Sequence, residues 1–129
     1  MTIADGGHPP AGRPRSVAVI GWLFVAAGIV GFGYHVTELN APGPVDSEVL
    51  WVLLVRLLAI VGGAFVLRGA RWAPWLLVAW MAYHVVLSAF HSWSEAAVHA
   101  VLLAMVAYVL LRPEAAAYFR HPSPHPGQP

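Results

Sequence analysis

Seven ionisable side chains fall within or beside long apolar stretches of this sequence: His35, Glu38, Arg56, His84, His91, Glu95 and His99. Neutral imidazole is the commonest metal ligand, and histidine changes charge near physiological pH. An arginine at the centre of a hydrocarbon layer costs about 2.5–3.5 kcal/mol on translocon-insertion scales, so it turns inward and takes a partner. Arg56 is the one charged residue deep inside an apolar run, with Glu48 before it and Arg68 after it. On a helix its side chain leans toward the N-terminus, here the end that carries Glu48. Spacing groups the others. His84, Ser88 and His91 stand at i, i+4 and i+7, Glu95 and His99 at i and i+4, so each set shares a helical face. Gly21, Gly28 and His35 recur every seven residues, with Gly31 and Glu38 beside them. That face is small at one end and polar at the other.

The elements that carry these residues are four apolar stretches, expected as helices at about 16–39, 47–67, 72–90 and 94–111. About 20 apolar residues cross a bilayer core. Asn40-Ala41-Pro42-Gly43-Pro44 stops the first helix. Ser47 is the expected N-cap of the second, with Glu48 in its first turn. Pro74 is tolerated in the first turn of the third. Ser92-Trp93-Ser94-Glu95 has capping-box spacing ahead of the fourth. Residues 1–14 and 113–129 are expected as a disordered N-terminal tail, then an interfacial segment with a disordered C-terminal tail. His8, His121 and His125 belong to these tails. The run from Val17 to about Val36 is too long for the core of a cleaved signal peptide, so a retained helix is expected.

Charges between the stretches alternate in sign. Arg13 and Arg15 precede the first, Glu38, Asp46 and Glu48 follow it, Arg68 and Arg71 follow the second, Glu95 the third, and Arg112 and Arg120 the fourth. Arginine-rich loops stay cytoplasmic. The expectation is an all-α membrane protein: a four-helix transmembrane bundle in a bacterial inner membrane, multi-pass, with both termini inside. Trp22, Trp72 and Trp75 then fall at the inner boundary and Trp51 and Trp93 at the outer one, where amphipathic rings sit. Tyr34-His35-Val36 recurs as Tyr83-His84-Val85, Ser47-Glu48 as Ser94-Glu95, and Leu67-Arg68 as Leu111-Arg112. This faint recurrence is compatible with two tandem helical hairpins.

Composition bounds the chemistry. Of 129 residues only 10% are charged and 59% are hydrophobic, where soluble proteins carry roughly 25% charged residues. A nearly balanced net charge of +1 does not suggest a nucleic-acid partner. The absence of cysteine excludes disulfide exchange, iron–sulfur ligation and thiolate metal sites. Every basic residue is arginine, a codon-composition signature. No Walker loop, dinucleotide fingerprint or nucleophile elbow is present.

Depth narrows the site. His35, His91 and His99 lie near the outer boundary, His84 near mid-membrane. Rotation permitting, His35, Glu38, Arg56, His91, Glu95 and His99 would pool into one polar layer in the outer third. Three readings follow. In the first, the chain is a membrane subunit or partner-binding protein whose polar residues join helices, Arg56 pairing with Glu38 or Glu95. Its partners are the lipid bilayer and further copies or other membrane subunits. In the second, it is a haem- or divalent-metal-binding redox component, with His35, His91 and His99 as candidate ligands and Gly28 and Gly31 leaving room for a flat macrocycle. In the third, it is a proton- or anion-linked transport component, with Arg56 attracting the anion and His84 relaying protons.

The stretch Val55-Arg56-Leu57-Leu58-Ala59-Ile60-Val61-Gly62-Gly63, followed by Leu67-Arg68-Gly69 and Trp72-Ala73, resembles the small four-helix bacterial membrane proteins of the DoxX-like kind. The resemblance implies a four-helix membrane fold and carries no catalytic residue with it.

Overall fold

A computed structural model describes residues 12–120. The tail expectations for residues 1–11 and 121–129, including His8, His121 and His125, lie outside the described residues. The fold is all-helical: α1 (Arg15–Val36), a 3-10 turn (Thr37–Asn40), α2 (Ser47–Leu67), α3 (Ala73–Ala89), α4 (Trp93–Leu111) and α5 (Pro113–Arg120). Helix α1 with its 3-10 extension, α2 and α4 are each long and apolar enough to cross a membrane, while α3 is apolar but shorter, at 17 residues. Large apolar side chains such as Val30, Phe90 and Val101 stand on the outer surface, as in a protein that lipid covers.

Local signals set the ends. Asp46, one residue before the expected Ser47, caps α2: its carboxylate accepts from the Glu48 amide at 3.1 Å. Ser92 does cap α4, but it makes no capping-box bond to the backbone; its hydroxyl meets that of Ser94 at 2.7 Å instead. Helix α2 closes in a Schellman turn. Gly69 sits at φ +79°, the Ala70 amide bonds the Phe65 carbonyl at 3.0 Å, and the Gly69 amide bonds that of Val66 at 3.1 Å. The first helix tightens from α to 3-10 at Thr37, whose hydroxyl turns back onto the Tyr34 carbonyl at 2.7 Å.

The most extensive packing joins α1 to α2 and α3 to α4, with α2 against α3 next and the α1–α4 seam the thinnest of the four. Glycines set the first of these. A β-carbon on Gly63 would come within 2.6 Å of the Gly21 carbonyl, and one on Gly28 within 2.6 Å of Ile60. Gly62 does the same for α3, where Leu77 would lie 2.5 Å away. Without β-carbons the backbones close in, and dispersion over the contact supplies the association that hydrophobicity cannot supply in lipid. Val17, Phe24, Ala59, Val66, Leu77, Met81, Val106 and Leu110 form the core, extended by Ala115 and Phe119 of α5.

All six arginines other than Arg56 gather at one end of the bundle, hereafter the arginine end, and they tie it together. The Leu67 carbonyl accepts from the Arg13 guanidinium at 3.0 Å and from the Tyr118 hydroxyl at 2.8 Å. Arg112 donates to the Ser16 hydroxyl, and Arg71 donates to the Arg120 carbonyl at 3.1 Å. Helix α5 is thus bound under the α2–α3 turn. The opposite, acidic end carries Glu38, Asp46, Glu48 and Glu95.

Candidate functional site

Arg56 stands on the α2 face that meets α1. Its backbone carbonyl lies level with Gly28, while its Cδ and Nε lie over Gly31, one turn further toward the acidic end. The lean expected from helix geometry is therefore present. A β-carbon on Gly31 would sit 2.8 Å from both atoms, so glycine is what lets the guanidinium stem through between the helices. The Nε is enclosed and has no hydrogen-bond partner. Among the described residues no carboxylate pairs with Arg56. The expected pairing with Glu38 or Glu95 is absent, and for a local reason: Glu38 turns to His35 on its own helix, Oε1 3.2 Å from Nδ1, and Glu95 is exposed on α4.

Three histidines share one device. The Nδ1–H of His84 donates to the Trp80 carbonyl at 2.9 Å, that of His91 to Leu87 at 3.1 Å, and that of His99 to Glu95 at 2.9 Å. A carbonyl only accepts, so Nδ1 carries the proton and the neutral ring keeps its lone pair on Nε2. The His84 ring stacks on Trp80, centroids 3.8 Å apart, and lies 6.0 Å from the His99 ring. Ser88, the buried polar residue of the core, sits 2.9 Å from His99 Nδ1 and links α3 to α4.

Of the seven predicted residues, the structure gathers Arg56, His84 and His91 around one cleft between α2 and α3, of about 770 Å³, also lined by Glu48, Trp51 and Tyr83. His99 joins it only through the His84 ring. His35 and Glu38 form a pair of their own, and Glu95 contributes its carbonyl. The single layer expected from depth is therefore divided by helix rotation. Sequence reasoning missed Trp51 and Tyr83, which bridge the two helices through an indole N–H donated to the phenol oxygen at 2.9 Å. It also missed Trp80, whose indole N–H donates to the Val55 carbonyl at 2.8 Å. The recurrence of Trp80 and His84 at i and i+4 was the available signal for the latter.

A second, half-open apolar cavity, of about 240 Å³, lies among the four helices and opens at the exposed Leu23, Ala27 and Met105. Its walls are Ile20, Leu23, Phe24, Ala27 and Gly28 of α1, Ala59 of α2, Trp80 and Met81 of α3, and Leu102, Met105 and Val106 of α4. Arg56 is the one residue that lines both this chamber and the polar cleft.

Two observations bear on the metal and macrocycle expectations. Among the described residues no three histidine, aspartate or glutamate side chains converge as a metal site, so His35, His91 and His99 are not brought together. The space above Gly28 and Gly31 is already filled, by Ile60 and by Arg56; the glycines admit a helix, and a flat ring has no room there. What the arrangement offers chemically is a fixed cation with an enclosed, unused donor, beside imidazole and phenol groups that can hydrogen-bond an adjacent group. No family model, curated protein or solved structure matches this chain.

Proposed function

We propose that this chain is a four-span bacterial inner-membrane protein with both termini cytoplasmic, and that it acts by binding an anionic group at Arg56. The observation that carries this reading is the enclosed Nε of Arg56, with no partner among the described residues. Uncompensated charge in a low-dielectric setting is costly, and such a residue by default marks a site for an incoming counter-charge. The four spans rest on α1, α2 and α4 together with α3, whose 17 residues reach the lower bound of spanning length, about 17. The gathered arginines support a cytoplasmic position for their end. Arg56 and the cleft then lie in the outer half, and the anion is brought by a small ligand or by another membrane subunit.

Two measurements test this. The chain has no cysteine, so Ala41→Cys and Ala70→Cys give clean accessibility labels; Ala41→Cys should react from outside and Ala70→Cys from inside. Equal reaction from one side would overturn the topology. For the site, acetate titrated into protein in uncharged detergent should raise Tm in the native chain and leave Arg56→Gln unchanged. An equal rise in both would refute the anion site.

A further inference from the structure

We infer that the arginine end holds a second anion site, separate from Arg56, which takes the phosphodiester head of an anionic glycerophospholipid from the adjoining leaflet. The inference rests on the membrane-spanning reading above and is independent of the Arg56 site. A half-open cavity of about 560 Å³ lies between the start of α3, the end of α4 and α5. Its floor is apolar, formed by the buried Pro74, Leu110 and Phe119. Arg71 and Arg120 also line it, and both are exposed. Hydrogen bonds fix where the two guanidiniums stand. Arg71 donates from Nη2 to the Arg120 carbonyl at 3.1 Å, and Arg120 donates from Nε to the Ala116 carbonyl at 3.2 Å. Both acceptors belong to wall residues, so both cations are held at the α5 side of the cavity. Each bond uses one donor of a guanidinium that has several.

No carboxylate of the described residues answers this charge. The cavity wall contains no acidic residue. Glu114, on the same helix as Arg120, is turned to Arg112, Oε2 3.6 Å from Nε, and no ion pair among the described residues includes Arg71 or Arg120. Residues 121–129 contain no Asp or Glu. Two guanidiniums beside one cavity suit an oxyanion such as phosphate. The rest of the wall makes that oxyanion a lipid head. Beyond the cations the rim is Trp75, in the first turn of α3, and Leu111, the last residue of α4, 63% and 39% exposed. An indole sits at the boundary between head groups and hydrocarbon. A ligand seated at the arginines therefore lays its apolar part against side chains that already face lipid. A free phosphate would leave that rim uncovered. Basic pockets between membrane helices hold anionic lipid heads on the same chemistry.

The probe is phosphatidylglycerol carrying a diazirine early in one acyl chain, offered to the full chain in phosphatidylcholine nanodiscs. Phosphatidylcholine labelled in the same way, in equal amount, is the comparison. Crosslinks from phosphatidylglycerol are expected at Trp75 or Leu111, about tenfold above those from phosphatidylcholine, the ratio one charge-assisted hydrogen bond supplies. Arg120→Gln is the clean variant, because the Arg71 bond goes to the backbone carbonyl of Arg120 and survives the change. It should lower the labelling about tenfold, and adding Arg71→Gln should bring it to the phosphatidylcholine level. Arg68→Gln, at an exposed position of the same end but outside the cavity wall, should leave labelling unchanged, as should Arg56→Gln. The acetate effect at Arg56 can thus fail without touching this result. Equal labelling by the two lipids, or an equal loss in Arg68→Gln and Arg120→Gln, would overturn the site, since either marks a diffuse positive surface. Loss in Arg56→Gln with Arg120→Gln unaffected would move the lipid to the Arg56 site and overturn this one. Displacement of the lipid by millimolar inorganic phosphate would make a soluble anion the ligand and overturn the lipid assignment.

Discussion

The stem of Arg56 lies against Gly31, so close that a β-carbon on the glycine would be 2.8 Å from both its Cδ and its Nε. One residue supplies the cation, and the other supplies the gap that lets it point toward the acidic end. The two should therefore behave as a coupled pair.

Gly31→Ala should displace the guanidinium and lower stability by about 1 kcal/mol, at the low end of the range for overpacked positions, because a flexible stem can give. It should also weaken the acetate effect on Tm. Combined with Arg56→Ala, the stability loss should largely vanish, since residues in contact do not add. Thermal melts of the two single variants and the double variant in detergent check this. Full additivity would show that the stem does not rest on Gly31.

Gly63→Ala should cost more than Gly31→Ala. Its new β-carbon would meet the Gly21 carbonyl at 2.6 Å, and backbone cannot swing aside as a side chain can. The helices must separate, and dispersion over the α1–α2 contact is lost. A loss of about 2–3 kcal/mol is expected, read from the same melts. The reverse order of the two variants would contradict this packing.

Tyr118→Phe removes the hydroxyl that α5 donates to the Leu67 carbonyl, 2.8 Å away. About 0.5–1.5 kcal/mol should be lost, as for an ordinary hydrogen bond, and amide exchange across Pro113–Arg120 should quicken. Unchanged exchange there would mean that the contacts of Ala115 and Phe119 hold α5 unaided.

His84, His91 and His99 in their neutral form should carry the proton on Nδ1, because each Nδ1 faces a carbonyl of the preceding turn. Nitrogen-15 shifts in lipid bilayers distinguish the tautomers. Proton occupancy at Nε2 of neutral His84 would break the proposed hydrogen bond to Trp80.

Much of this was legible in the chain, and what was not has a common cause. The bounds of α2 follow from a Pro-Gly-Pro loop before it and Arg68-Gly69 after it, both strong local signals. The direction of Arg56 follows from the tilt of any helical side chain, and the close approach of α1 to α2 follows from Gly21, Gly28 and Gly63. The division of the polar layer does not. Helices apolar on every side carry almost no periodic contrast, so the sequence does not say which face of α3 or α4 turns inward. His91 lines the cleft, while His99 turns to Ser88 and His35 to Glu38, for reasons that exist only after packing. The Asp46 cap was missed for a simpler reason: aspartate and serine both cap well, and adjacent residues compete.

The central claim is that Arg56 takes its counter-charge from outside the chain. The stability of Arg56→Met against the native protein, in uncharged detergent with and without added acetate, tests it most directly. Without the anion, the native chain keeps an uncompensated cation, so Arg56→Met should be equally stable or more stable. Adding acetate should reverse the order by stabilising the native chain alone. An Arg56→Met protein destabilised by about 3–5 kcal/mol before any anion is added, as when one partner of a buried ion pair is removed, with a gap that acetate does not alter, would contradict the account.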